Sequence, residues 1–304
     1  MREEFVNLGQ VELCYERFGD PDDPTVLLVM GLGTQMLAWH EEFCEQLVER
    51  GFQVIRYDNR DVGRSTHFRS VSPPRPFELA RRRPRQLAYT LADMAGDAAG
   101  LLDHLELDAA HLVGASMGGM IAQTLAAREP ARVRSLVSVM SNTGSLRSGQ
   151  PAFRVYPHFL RRPERGLDAY AERAVALFRV IGSPEFPMDE DEVRAVVARS
   201  FERGGGDLAG TMRQLGAILA AGNRTAELRR IEAPTLVIHG TKDRMIPASG
   251  GKATARAIPG ARLMLIDGMG HDLPRALWPR LADAIAEHAL TAEAPADQPV
   301  RVAA

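Results

Sequence analysis

The sequence predicts an α/β fold: a mostly parallel sheet flanked by helices on both faces, with a helical lid (cap) insertion. Three observations predict it. Short continuous apolar runs, such as Thr25 to Met30, alternate with stretches whose apolar residues recur at helical spacing. These runs lack the polar alternation of a half-exposed strand, as expected where both faces of a strand are buried. Between about 145 and 225 the alternation stops, and helical patterns continue with no clear strand.

The elements follow in order. Asn7-Leu8-Gly9-Gln10 is turn-like and precedes a loose alternation over Val11 to Phe18, which suggests an N-terminal hairpin. Gly19 to Pro24 is a polar turn. Thr25 to Met30 reads as a buried strand, Leu37 to Arg50 as a helix, and Phe52 to Tyr57 as a strand ending at Asp58-Asn59-Arg60-Asp61. Residues 66–89, rich in Pro and Arg, read as irregular. Thr90 to Leu105 is helical, Ala110 to Gly114 a strand, and Met117 to Arg128 a helix stopped by Glu129-Pro130. Val133 to Met140 is a strand, and helical patterns over 168–181 and 189–202 fill the strand-free block. After Pro234, strands return at Thr235 to His239 and Ala261 to Ile266, with helices over about Ala248 to Ala257 and Arg275 to Leu290. The expected organisation is a core of residues 1–144 and 226–290, a cap or lid at 145–225, and a disordered tail at 291–304.

Bulk properties narrow the classes. A chain of 304 residues buries enough surface to need no disulfide or metal staple. Its formal net charge of −2 gives no electrostatic reason for a nucleic-acid partner. The two cysteines, Cys14 and Cys44, lie in no metal-binding spacing and read as buried thiols in a reducing compartment. The N-terminus shows no basic segment leading into an apolar run, and no run approaches the ~20 apolar residues that span a bilayer. The expectation is a cytoplasmic protein without stable membrane insertion, monomer or dimer. The arginines at 75, 81, 82, 83 and 85 read as a solvated face.

Gly114-Ala115-Ser116-Met117-Gly118 fits G-x-S-x-G between a strand and a helix. Such a turn needs glycines, because two chain segments approach closely around one strained residue. It lifts the Ser116 hydroxyl to a helix N-terminus, where the Met117 backbone N–H can stabilise an anion. A serine hydroxyl is a poor nucleophile and needs a base that a third group orients. Asp243 follows the strand at 235–239, and His271 follows the next strand, in Gly268-Met269-Gly270-His271-Asp272. Loops after the carboxyl ends of parallel strands share one rim. Asp267 and Asp272 are the rival acids, both very close in sequence to His271. His111 and His239 sit in or at the ends of strands and read as packed. The turn Met30-Gly31-Leu32-Gly33 offers the Leu32 N–H as a second anion donor. Asp58 to Ser65 reads as a structural turn whose charges cap and pair beneath the cleft.

With these residues in place, the chain resembles the α/β-hydrolase fold, in particular its aclacinomycin methylesterase-like and bacterial carboxylesterase/lipase-like group. The resemblance rests on Met30 to Gly33, Val54 to Ser65, Gly114 to Gly119 and Gly268 to His271, and covers most of residues 10–290. It implies a serine hydrolase with Ser116, Asp243 and His271 as triad and the Leu32 and Met117 N–H groups as oxyanion hole. It implies no cofactor or metal and a small-molecule ester as substrate. An apolar pocket is expected, with Gly31, Met36, Leu37, Trp39, Met117, Met120, Phe159 and Phe178 as lining candidates, core packing being the default reading of their side chains. Carbon–carbon bond hydrolysis, peracid formation and a non-catalytic ligand-binding role are the alternatives.

Overall fold

The computed structural model describes residues 2–82, 84–155 and 166–293. An antiparallel hairpin opens the chain, β1 (Glu4–Asn7) and β2 (Glu12–Phe18). Six further strands follow: β3 (Thr25–Val29), β4 (Gln53–Tyr57), β5 (Ala110–Ala115), β6 (Val133–Val139), β7 (Thr235–Gly240) and β8 (Arg262–Ile266). All join one sheet in the order β1-β2-β4-β3-β5-β6-β7-β8. From β4 to β8 every neighbouring pair is parallel.

The chain leaves β3 towards β4 on one side and later enters β5 on the other. The sheet therefore changes winding direction between β3 and β5, and the loops leaving their carboxyl ends diverge and open a crevice. The helices obey the same reversal. Helix α1 (Glu41–Val48) packs with the last helix, α10 (Trp278–Glu293), on one face; α3 (Leu91–His104) and α4 (Met117–Arg128) cover the other. The period of two in the strands does the sorting. Val26 and Leu28 join Phe43, Leu47, Leu281 and Ile285, while Leu27 and Val29 join Leu101, Ile121 and Leu125. Each such side chain, fully buried, stabilises the fold by about 1.5–3 kcal/mol.

Between β6 and β7 the described residues form helices and no strand: α5 (Leu167–Ile181), α6 (Glu190–Glu202), α7 (Leu208–Ala221) and the short α8 (Thr225–Leu228). Helix α9 (Ser249–Ala257) separates β7 from β8.

Three expectations need correction. The helix read over Leu37 to Arg50 is a 3-10 turn at Met36–Ala38 and then α1, broken at His40, whose ψ of 147° is not helical. Groups distant in sequence make the break: Asp58 Oδ1 accepts from the Met36 N–H at 2.8 Å, and the Trp39 carbonyl accepts from Arg56. The irregular stretch holds a short helix, α2 (Pro76–Ala80), whose proline stands in the first turn and whose Glu78 accepts from the Arg75 N–H at 3.0 Å. The C-terminal helix runs to Glu293, three residues into the expected tail; the rest of that tail lies outside the described residues.

Candidate active site

Ser116 stands between β5 and α4 with φ 54° and ψ −117°, a strained conformation for a residue with a Cβ. The surrounding backbone enforces it. A Cβ on Gly114 would lie 2.3 Å from the Gly118 carbonyl oxygen, and one on Gly118 would lie 2.0 Å from that of Val29. The Ser116 N–H donates to the Val139 carbonyl at 2.9 Å, tying the turn to β6.

His271 reaches Ser116 from the loop after β8, with Nε2 3.1 Å from Ser116 Oγ. Its Nδ1 lies 2.7 Å from Asp243 Oδ2. An ionised carboxylate only accepts, so Nδ1 carries the hydrogen and Nε2 is left free to accept one from Ser116. Asp243 is buried, and its Oδ1 accepts the backbone N–H groups of Met245 and Ile246 at 2.9 and 2.8 Å. Burial pushes the Asp243 carboxyl up, but the facing His271 and His239 rings outweigh burial and hold it below the ordinary value. The rival acids are engaged elsewhere: Asp267 accepts from Thr241 Oγ1 at 2.6 Å and Asp272 from Ser183 Oγ at 2.5 Å.

The turn after β3 lies against Ser116. A Cβ on Gly31 would stand 3.2 Å from Ser116 Cβ. Among the described residues, no hydrogen bond engages the backbone N–H of Leu32 or of Met117. Both donors are thus uncommitted, as an oxyanion hole requires.

The pocket candidates scatter. Met36, Leu37, Met117 and Met120 are buried. Trp39 is 1% exposed and stacks on Phe43 at 5.5 Å, inside the α1–α10 core. Phe178 borders a cleft of about 230 Å³ with Met188 and Arg244, and none of Ser116, Asp243 and His271 lines it. Phe159 lies outside the described residues.

Sequence reasoning missed several supports. His239, read as packed, is fully buried with Nε2 3.5 Å from Asp243 Oδ2; the same atom donates to the Ile246 carbonyl at 2.6 Å. The end of α5 braces the His271 loop: the His271 N–H donates to the Ile181 carbonyl at 2.7 Å, and the Gly270 N–H to Ser183 Oγ at 2.8 Å. The His239–Asp243 spacing of four residues was visible, but it carries meaning only once the loop folds back over the strand end. Ser183 had no local signal.

Asp58 to Ser65 is a structural turn with a reach beyond its own loop. Asp58 binds Arg203 Nη2 at 2.9 Å, and Asp61 holds Arg213 at 2.7 and 2.8 Å, so both carboxylates anchor side chains from the 145–225 segment. Asp61, His67 and Asp207 bring potential ligand atoms within 4.8 Å of one another. Protein partners already use them: His67 meets Asp207 at 2.9 Å and the Gly63 carbonyl at 3.1 Å, and Asp61 is neutralised by Arg213.

The model of the alpha/beta hydrolase fold family matches residues 24–274. Rhodomycin D methylesterase DnrP of Streptomyces peucetius is 31% identical, over 92% of this chain and 95% of that protein. The 2-hydroxymuconate semialdehyde hydrolase of Pseudomonas putida is 32% identical, over 68% of this chain and 72% of its own. The crystal structure of a hydrolase from Pseudomonas aeruginosa superposes with a TM-score of 0.69 at 25% identity, covering 96% of this chain and 98% of that one. With the matching model spanning well over half of its length, this chain belongs to the alpha/beta hydrolase fold family and is an enzyme of the esterase type.

Proposed function

We propose that the protein is a serine carboxylic-ester hydrolase acting on small to medium apolar esters through an acyl-enzyme. The observation that carries this reading is the unbroken hydrogen-bond chain from Ser116 Oγ through His271 to Asp243, set on a strained elbow. His271 Nε2 takes the Ser116 proton as Oγ attacks the ester carbonyl. The Leu32 and Met117 N–H groups hold the tetrahedral oxyanion. His271 returns the proton to the departing alkoxide, and water, activated by the same ring, releases the acid. Asp243 stays ionised and fixes the tautomer.

The segment 145–225 is read as a lid. In support, Ile181 braces the His271 loop and Gln214 bonds the Gly33 N–H, so the segment touches both flanks of the site. Both cysteines are free and buried, which supports a reducing, cytoplasmic setting. No helix among the described residues is long and apolar enough to cross a membrane.

The test is a panel of p-nitrophenyl esters of increasing acyl length, a methyl ester of an aromatic acid, a thioester and a diketone. Purified protein hydrolyses the short- and medium-chain esters, and a fluorophosphonate labels Ser116. Full activity in Ser116→Ala rejects the reading. Preference for the diketone moves it to carbon–carbon bond hydrolysis by the same triad, and absence of labelling and of turnover moves it to ligand binding.

A further inference from the structure

The turn that carries the Leu32 N–H is short and built to be held. The Thr34 N–H donates to the Gly31 carbonyl at 3.3 Å, closing a four-residue turn, and Gly33 in its third position has φ +65°. That angle belongs to a type II turn. Types I and II differ by a flip of the central peptide, here between Leu32 and Gly33, and glycine permits either. Something outside the turn must choose.

Two bonds fix this peptide at both ends. The Gly33 N–H donates to Gln214 Oε1 at 2.7 Å, and Thr34 Oγ1 donates to the Leu32 carbonyl at 3.2 Å. Gln214 comes from α7 in the 145–225 segment and is fully buried. Its Nε2 donates to the Arg60 carbonyl at 2.8 Å, so the amide bridges the loops after β3 and β4. Neither donor nor acceptor of the Gln214 amide is left to choose its own orientation, because Gly33 offers an N–H and Arg60 a carbonyl. The contact is also steric: a Cβ on Gly33 would stand 2.7 Å from Thr211 Oγ1, one turn earlier on the same helix. The helix is itself anchored by Arg213, whose guanidinium grips Asp61 at 2.7 and 2.8 Å.

We propose that Gln214 is a positioning residue of the hydrolytic site: together with Thr34 it clamps the Leu32–Gly33 peptide, which follows directly on the Gly31–Leu32 peptide bearing the Leu32 N–H, so that a helix of the 145–225 segment sets the geometry of the oxyanion hole. This rests on the reading of Leu32 as an oxyanion donor. A clamp of this kind acts on the transition state more than on the bound ester, because the oxyanion exists only after attack. Loss of the clamp lowers kcat and leaves KM in place.

The experiment compares Gln214→Met, which keeps the volume and removes both hydrogen bonds, with wild-type protein. The readouts are kcat and KM on a p-nitrophenyl ester, the fraction of sites titrated by a fluorophosphonate, and the Ki of a trifluoromethyl ketone, whose hemiketal oxygen mimics the oxyanion. The expected result is a kcat about 10- to 100-fold lower per titrated site, short of the ~10²–10³ for removing a donor outright. KM stays within about twofold, and Ki for the ketone weakens in step with kcat. A kcat within about twofold of wild type, or a rise in KM alone, overturns the proposal. If Gln214→Met does not fold, the half-buried Thr34→Val decides: a kcat about 3- to 10-fold lower at constant KM supports the clamp, and an unchanged kcat overturns it. Wild-type protein that neither turns over esters nor binds the ketone ends the parent reading instead; normal wild-type inhibition with unaffected variants ends only this one.

Discussion

The strand ends that carry Ser116, Asp243 and His271 and the helices of the 145–225 segment are held in different ways. At the strand ends, backbone meets backbone. Gly114 and Gly118 let two segments touch, and Asp243 is held by two peptide N–H groups. The 145–225 segment adds side-chain charges, through Arg203 on Asp58 and Glu3 and through Arg213 on Asp61. The first arrangement fixes atomic positions to fractions of an ångström, as bond-making chemistry requires. The second fixes a body in place through a few long side chains. Damage to the first region should cost rate and spare stability, and damage to the charge anchors of the second should cost stability more than rate, with Gln214, which reaches Gly33, as the exception.

The largest expected effect is at Ser116. Ser116→Ala should lose about 10⁴–10⁶ in kcat with an unchanged unfolding midpoint. A large fall in that midpoint would break the contrast. Next, Asp243→Asn should lose about 10⁴ in kcat by presenting the wrong tautomer of His271. Ester kinetics beside urea unfolding measure both.

Arg213→Met should reverse the pattern. It leaves Asp61 buried and charged without its main partner, which costs about 3–5 kcal/mol of folding stability. The rate per titrated Ser116 should fall far less than in Ser116→Ala. If urea unfolding shows no loss, side-chain charge does not hold the segment.

The pH profile sharpens the contrast at lower amplitude. Asp243 has its carboxyl held below the usual aspartate value of 3.8. Its stabilising share is therefore complete above 3.8 and is lost as pH falls below that, through the depressed folded value. An ionisation in kcat/KM between about pH 4 and 6 that vanishes in Asp243→Asn would contradict the lowered Asp243 carboxyl. The smallest effect is expected at Arg194, which pairs with Glu172, Glu190 and Asp191 on the exposed face of the same segment. Solvent screens such pairs, so Arg194→Ala should leave both the unfolding midpoint and kcat where they were.

Much of this was legible in the chain, for a physical reason. Ser116 announced itself because its constraint is local: a strand, a turn that only glycines permit, and a helix, all within a few residues. Asp243 and His271 were found by order, since parallel strands deliver their following loops to one rim. The strands were legible because both of their faces are buried, which leaves an unbroken apolar run. The break at His40 was not, since it depends on Asp58 and Arg56 reaching in from β4 and its loop. Trp39 has the composition of a pocket wall, yet it packs in the core because Phe43 and Trp278 cluster on the same face.

By itself the sequence determined the alternation of elements, the sheet class, and the Ser116, Asp243 and His271 that the fold brings within hydrogen-bond reach. Those features are written in short-range sterics and in the period of apolar residues. Only the tertiary structure decided that His239 lies beside Asp243, that Ile181 braces His271, and that Gln214 reaches Gly33 across 181 positions of chain. Hydrogen bonds between residues so far apart leave no periodic trace along the sequence, because their geometry exists only once the helices after β6 have settled onto the sheet.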